Sequence, residues 1–175
     1  QPDLAKMVKD EYNFVDLFKA AAENNWLTFF KLLVQDSGNK IHDVENQVHQ
    51  AAEYGHLKIV AFYGKIFDNP NPTPFNSEAQ KMFNGRTALH VAAQFGHLEI
   101  VQHICDLLQD KNPADKNQLT PLHLAARYGH LDIVQFLVPQ LEHKFPKSGS
   151  IKYEGAFREW HGITPLHESA VNGDL

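Results

Sequence analysis

The sequence predicts an all-α solenoid of stacked helix-turn-helix units, and three observations carry that prediction. The stretch TALHVAAQFGHLEIV at residues 87–101 is written again, almost letter for letter, as TPLHLAARYGHLDIV at 120–134, thirty-three positions later. Weaker copies extend the pattern in both directions: TPLHESAVNGDL at 164–175, NQVHQAAEYGHLKIV at 46–60 and DLFKAAAENNWLTFF at 16–30. In every copy a pair of small residues is followed, three positions on, by Gly or Asn, the residues that end helices. A fixed period of this length marks units that bury their apolar faces only against a neighbour.

Each unit opens on a side chain able to accept hydrogen bonds from the free N–H groups that begin a helix: Asp16, Asn46, Thr87, Thr120 and Thr164. Helix starts are therefore expected at these five residues. Pro121 and Pro165 follow two of them, at the first helical position, where a missing N–H costs nothing. The first helix then carries Ala21 and Ala22, Ala51 and Ala52, Ala92 and Ala93, Ala125 and Ala126, or Ser169 and Ala170, small enough for a neighbouring helix to approach. It stops at Asn25, Gly55, Gly96, Gly129 and Gly173, the residue types a left-handed C-terminal cap selects. The second helix is amphipathic, with a stripe of Leu98, Val101, Ile104, Cys105 and Leu108 in one copy and Leu131, Val134, Leu137 and Val138 in the next.

The expected organisation is a flank or capping segment over 1–15 and one array over 16–175, with units starting near 16, 46, 87, 120 and 164 and the last truncated. Spacings of 30, 41, 33 and 44 residues between the starts give two units insertions of about 8 and 11 over the basic period. Insertions in repeat arrays map to loops. The first lies within 67–84, where three prolines forbid a regular helix. The second lies within 139–160 and contains Phe145, Tyr153, Phe157 and Trp160 among Pro, Gly and Ser punctuation. Those rings are expected to pack back on the helices beneath, with partner contact as the second reading.

Composition narrows the function. The 175 residues are 43% hydrophobic and 21% charged, enough for a domain-sized core. A formal charge of −5 argues against nucleic acid as a partner. No apolar run nears the roughly 20 residues that span a bilayer, and QPDLAKMVKD has no signal-peptide core. Cys105 is the one cysteine, so no internal disulfide forms and an intracellular, cytoplasmic setting is expected. Starting without Met and stopping in mid-pattern, the sequence reads as a piece of a longer protein.

Eleven histidines invite a metal reading, since His49 and His56, His90 and His97, and His123 and His130 recur seven apart. Gly55, Gly96 and Gly129 stand just before the second His of each pair, so the two rings do not share one continuous helix. HGITPLHE at 161–168 lacks the HExxH spacing that sets two ligands on one helical face. With no Gly-rich phosphate loop, nucleophile elbow or Cys/His zinc framework, neither metal, cofactor nor catalysis is expected. Cys105 falls in the apolar stripe and reads as core.

The units resemble ankyrin repeats, whose period is about 33 residues and whose TPLHxA signature stands here as Thr120 to Ala125. TALHVA at 87–92 departs from it at Pro, and TPLHES at 164–169 at Ala. The resemblance covers 16–175 and implies a right-handed stack of helix pairs with hairpins projecting from one edge. It also implies that the histidine of TPLH bonds backbone and ties neighbouring units, which assigns His90, His123, His167 and, less directly, His49 a structural role. Thr87, Thr120 and Thr164 as caps, and Gly55, Gly96, Gly129 and Gly173 as helix stops, complete the structural set.

Function is then expected where the copies differ. After the small pairs come Glu23 and Asn24, Glu53 and Tyr54, Gln94 and Phe95, Arg127 and Tyr128, and Val171 and Asn172. Before the caps come Phe83, Asn84 and Arg86, then Lys116, Asn117 and Leu119, then Trp160, His161 and Ile163. The resemblance implies that these positions face a concave groove and touch a partner. Tyr54, Phe95 and Tyr128 would form one column flanked by Gln94 and Arg127, either as a binding ridge or as rings packed on one another. The implied function is non-catalytic binding of a protein or peptide by a monomeric array, with a regulatory or assembly segment of a larger enzyme, channel or receptor as the alternative. Asn112 sits where some ankyrin repeats are hydroxylated, although QDKNPAD lacks the usual Asp-Val before it and has Pro after it.

Overall fold

The computed structural model of the chain describes residues 14–36, 44–73 and 84–140. The expected fifth unit, with Thr164, His167 and Gly173, lies outside the described residues. So do Phe83, Trp160, His161, Ile163 and nearly all of the second insertion.

Eight α-helices pair into four units among the described residues: α1 (Phe14–Glu23) with α2 (Leu27–Asp36), α3 (Glu45–Glu53) with α4 (Leu57–Phe67), α5 (Ala88–Phe95) with α6 (Leu98–Leu107), and α7 (Pro121–Arg127) with α8 (Leu131–Leu137). A short 3-10 turn, Val138–Gln140, follows α8. First helices stack on first helices, α1 on α3 on α5 on α7, and second helices on second helices, α2 on α4 on α6 on α8. The chain is thus a two-layered helical solenoid, as the repeat predicts.

The turn between the paired helices is the same each time. Asn25, Gly55, Gly96 and Gly129 have φ of 55°, 77°, 81° and 75°, the left-handed region. The next N–H returns to the carbonyl five residues back: Trp26 to Ala21, His56 to Ala51, His97 to Ala92 and His130 to Ala125, at 2.8–3.0 Å. That bond closes the end of the first helix and aims the chain directly into the second.

Two of the expected caps stand elsewhere. Asp16 lies inside α1, and Asn46 inside α3, which starts at Glu45 after Val44. Val44 is completely buried, so packing anchors this helix start, and Glu45 places a negative charge in the first turn. A threonine cap is not needed there. Thr87 and Thr120 do precede their helices with extended backbone, ψ 172° and 165°.

The core lies between the layers. Ala21, Ala22, Ala51, Ala52, Ala92, Ala93 and Ala125 are completely buried, which is how the first helices approach each other. The second helices contribute Phe30, Leu33, Val34, Ile59, Val60, Tyr63, Ile100, Val101, Ile104, Cys105, Ile133 and Leu137. The apolar stripe is therefore shifted from the one read above: Leu131 and Val138 are exposed, and Ile133 is buried. Leu131, in the first turn beside the Gly129 stop, points away from the helices that Ile133 and Leu137 meet.

Candidate groove and hairpin surface

What fixes the surface is a set of histidine bonds running in both directions between units. The first histidine of a unit reaches forward: Nε2 of His90 lies 3.1 Å from the Leu119 carbonyl, and Nε2 of His49 lies 3.2 Å from that of Arg86. Leu119 and Arg86 stand just before Thr120 and Thr87, at equivalent places. The second histidine reaches back, to the end of the preceding unit's first helix. His56, His97 and His130 place Nε2 at 2.8, 2.6 and 2.9 Å from the carbonyls of Glu23, Glu53 and Gln94. Sequence reasoning assigned these three rings no task.

Glycine makes room for them. A Cβ on Gly55 would lie 2.8 Å from the His97 ring, and one on Gly96 2.6 Å from the His130 ring. Each glycine thus serves its own turn and the histidine of the next unit at once.

The tautomer of His90 follows from its partners. The Thr87 N–H donates to Nδ1 at 3.1 Å, so the ring proton resides on Nε2 and is donated to Leu119. His123 repeats the arrangement with Thr120, at 3.2 Å. Burial pushes the pKa of His90 down to about 4, against the opposing pull of Asp115. Burial also lowers that of His49, although both of its ring nitrogens face carbonyl oxygens, those of Glu45 and Arg86, which favour the charged form. Burial raises the Cys105 thiol to about 11, an inert thiol in the apolar layer.

The hairpin of the fourth unit is built on Asp115, whose Oδ1 accepts the N–H groups of Asn117 and Leu119 at 2.8 and 2.9 Å. The Asp115 N–H closes the hairpin on the Leu119 carbonyl at 2.7 Å. The Lys116 N–H donates to the Asn84 carbonyl at 2.9 Å and couples this hairpin to the one before. Gln118 takes φ +64° where the third unit has Gly85.

Sequence-selected surface residues divide into two sets. Tyr54, Phe95 and Tyr128 are 50%, 44% and 51% exposed, and among the described residues they form no ring pair with one another; Tyr54 stacks instead on His56 at 6.1 Å. Asn84 and Lys116 are exposed, and Gln94, Asn117 and Arg127 are half-buried. Leu119, by contrast, is 1% exposed and must be removed from the surface set. Its side chain alternates inward from the hairpin, and its backbone is held by Asp115 and His90. Arg86 is also committed inward, with Nε 3.2 Å from buried Asp115 and Nη1 2.7 Å from Gln94 Oε1.

Asn112 caps the next helix from outside, its Oδ1 accepting the Leu122 N–H at 3.1 Å, as Asn71 does for Leu89 at 2.9 Å. Neither bond was foreseen from the sequence. Among the described residues no three His, Cys, Asp or Glu side chains converge, and no helix is long and apolar enough to cross a membrane.

Comparison with known proteins gives one result of weight. The family model described as ankyrin repeats, in three copies, matches residues 48–149 and 104–175. A comparison with curated proteins finds no match.

Proposed function

Since the chain belongs to the ankyrin repeat family, we propose that it binds a partner protein or peptide through its concave groove and hairpin tips. Ankyrin repeats are in general protein–protein interaction modules, and the family is typically non-catalytic. The observation that carries the reading is three large rings, Tyr54, Phe95 and Tyr128, at the same position of three successive units and each about half exposed. Rings of this size bury about 150–250 Å² each in a contact, and truncating a hot spot often costs about 2 kcal/mol or more.

The backward-reaching histidines hold the backbone beside Tyr54 and Phe95, so these two rings are preorganised, and little ordering entropy opposes binding. Gln94, Arg127, Asn84, Lys116 and Asn117 supply the polar rim. The 139–160 insertion adds selectivity.

The test compares the chain with its Tyr54→Ala, Phe95→Ala, Tyr128→Ala variant in capture from cell extract, read by mass spectrometry. Circular dichroism establishes that the variant is folded. A partner lost by the variant supports the groove as the binding face. Equal capture by both forms moves binding to another surface and overturns the reading.

A further inference from the structure

We infer that Asn84 is a site of spontaneous covalent modification, where the side-chain amide is displaced by the Gly85 nitrogen and the third hairpin acquires an aspartate or isoaspartate. The chain writes Asn before Gly at 84-85 and again at 172-173, the second pair lying outside the described residues. Asn84 is exposed, and Asn84 and Gly85 have φ of 49° and 76°. Positive φ at two successive turn residues is the geometry that selects Asn-Gly, so the hairpin itself requires the pair. Gly85 has a second reason to stay, since a Cβ there would lie 3.1 Å from Lys116 Cγ.

The same pair is reactive. With no Cβ on Gly85, its nitrogen approaches the Asn84 side-chain carbon Cγ without hindrance. The Gly85 N–H has no hydrogen-bond partner among the described residues, so no bond is lost when it deprotonates. The Lys116 side chain lies along Gly85, and its cation favours the anionic nitrogen. That nitrogen attacks Cγ; the new N–C bond closes a succinimide ring, and the amide nitrogen leaves with a proton as ammonia. Water then opens the ring. Opening at Cγ leaves aspartate, whereas opening at the main-chain carbonyl leaves isoaspartate, with the chain rerouted through Cγ. One water is consumed and one ammonia released, with no oxidation or reduction.

The fourth hairpin supplies the contrast. Its equivalent pair is Asn117-Gln118, where a Cβ crowds the attacking nitrogen. The Gln118 N–H is also engaged, donating to the Asp115 carbonyl at 3.0 Å, and Asn117 is half-buried.

Modification at Asn84 acts on the joint between units. Among the described residues the third hairpin is tied to the fourth by the Asn84 carbonyl, which accepts the Lys116 N–H at 2.9 Å, and by the Arg86 to Asp115 pair at 3.2 Å. Isoaspartate turns that carbonyl into a carboxylate on a side branch and lengthens the main chain by one carbon. The first tie is lost as built, and a negative charge appears beside Lys116.

The test incubates the whole 175-residue chain at mildly alkaline pH, then digests it and reads the peptides by mass spectrometry. A synthetic MFNGRT peptide, residues 82–87, is incubated alongside to establish that the conditions suffice. Exchange of NH2 for OH at Asn84 is expected to run about tenfold or more faster than at Asn117, with isoaspartate identified by enzymatic methylation of its carboxylate. Asn84→Gln should abolish it, because the longer side chain closes the ring far more slowly. Gln118 holds positive φ in the fourth hairpin, so glutamine is tolerated at such a turn. In the converted protein, hydrogen exchange at the Lys116 amide should be about tenfold or more faster, since its acceptor is gone. An Asn84 peptide that keeps its mass while MFNGRT converts, or equal rates at Asn84 and Asn117, overturns the assignment. Conversion with Lys116 exchange unchanged overturns the effect on the joint.

Discussion

Acidifying the protein from pH 7.5 to 5.0 is expected to remove about 2 kcal/mol of stability through His90 alone. In the folded chain the ring is completely buried, and its Nδ1 faces a backbone N–H, where a second proton would meet a donor instead of an acceptor. Its pKa accordingly falls to about 4 from the ordinary 6.5. The unfolded chain binds more protons between those values, so stability is full above the unfolded pKa and declines as pH falls towards the folded one. Two and a half pK units correspond to about 3 kcal/mol in full, of which about 2 is lost by pH 5. His49, lowered as well, acts in the same direction. Set against a typical total of about 5–15 kcal/mol, the loss is easily measured. The assay is urea unfolding followed by circular dichroism at both pH values, for the native sequence and for His90→Gln. The variant should be less stable at pH 7.5 and show a shallower pH slope. An unchanged slope in His90→Gln, or a native protein more stable at pH 5, would refute the reasoning.

Three further substitutions probe the framework. Gly96→Ala should cost more than about 2 kcal/mol, because φ is +81° and the new Cβ would stand 2.6 Å from the His130 ring; a thermal melt lowered by only a degree would contradict this. Gln118→Gly should stabilise by up to about 1 kcal/mol, since the native residue holds φ +64° at an exposed hairpin position, and an unchanged or lower melting temperature would count against that account. Asn112→Ala removes the acceptor for the Leu122 N–H and should cost about 1 kcal/mol in urea unfolding, as for the loss of a helix cap.

The fold was legible because its signals are local and repeated. A small pair followed by Gly or Asn specifies a close helix contact and a left-handed turn, and both features recur in all four described units. The backward histidines were not legible in the same way. Their acceptors are carbonyls of residues 33, 44 and 36 positions away, and a carbonyl leaves no letter in a sequence. The constant Gly-His pair was the available signal, but glycine was read only as a helix stop. Leu119 was misplaced for another reason: a hairpin alternates its side chains, and variation between copies does not say which side a residue faces. Arg86, half-buried, pairs with Asp115 within the fold.

Lys19 occupies the position held by His49 in the second unit and His90 in the third, and it pairs with Glu23. Among the described residues, the joint between the first and second units therefore has one histidine bond, that of His56 to Glu23, where each of the next two joints has a forward and a backward one. Viewed as a mechanical chain, the three described joints have couplings of unequal strength, with the softest between the first and second units. Since repeat arrays open unit by unit, of these three joints the first would part at the lowest force under a pull, leaving the aromatic-bearing units joined.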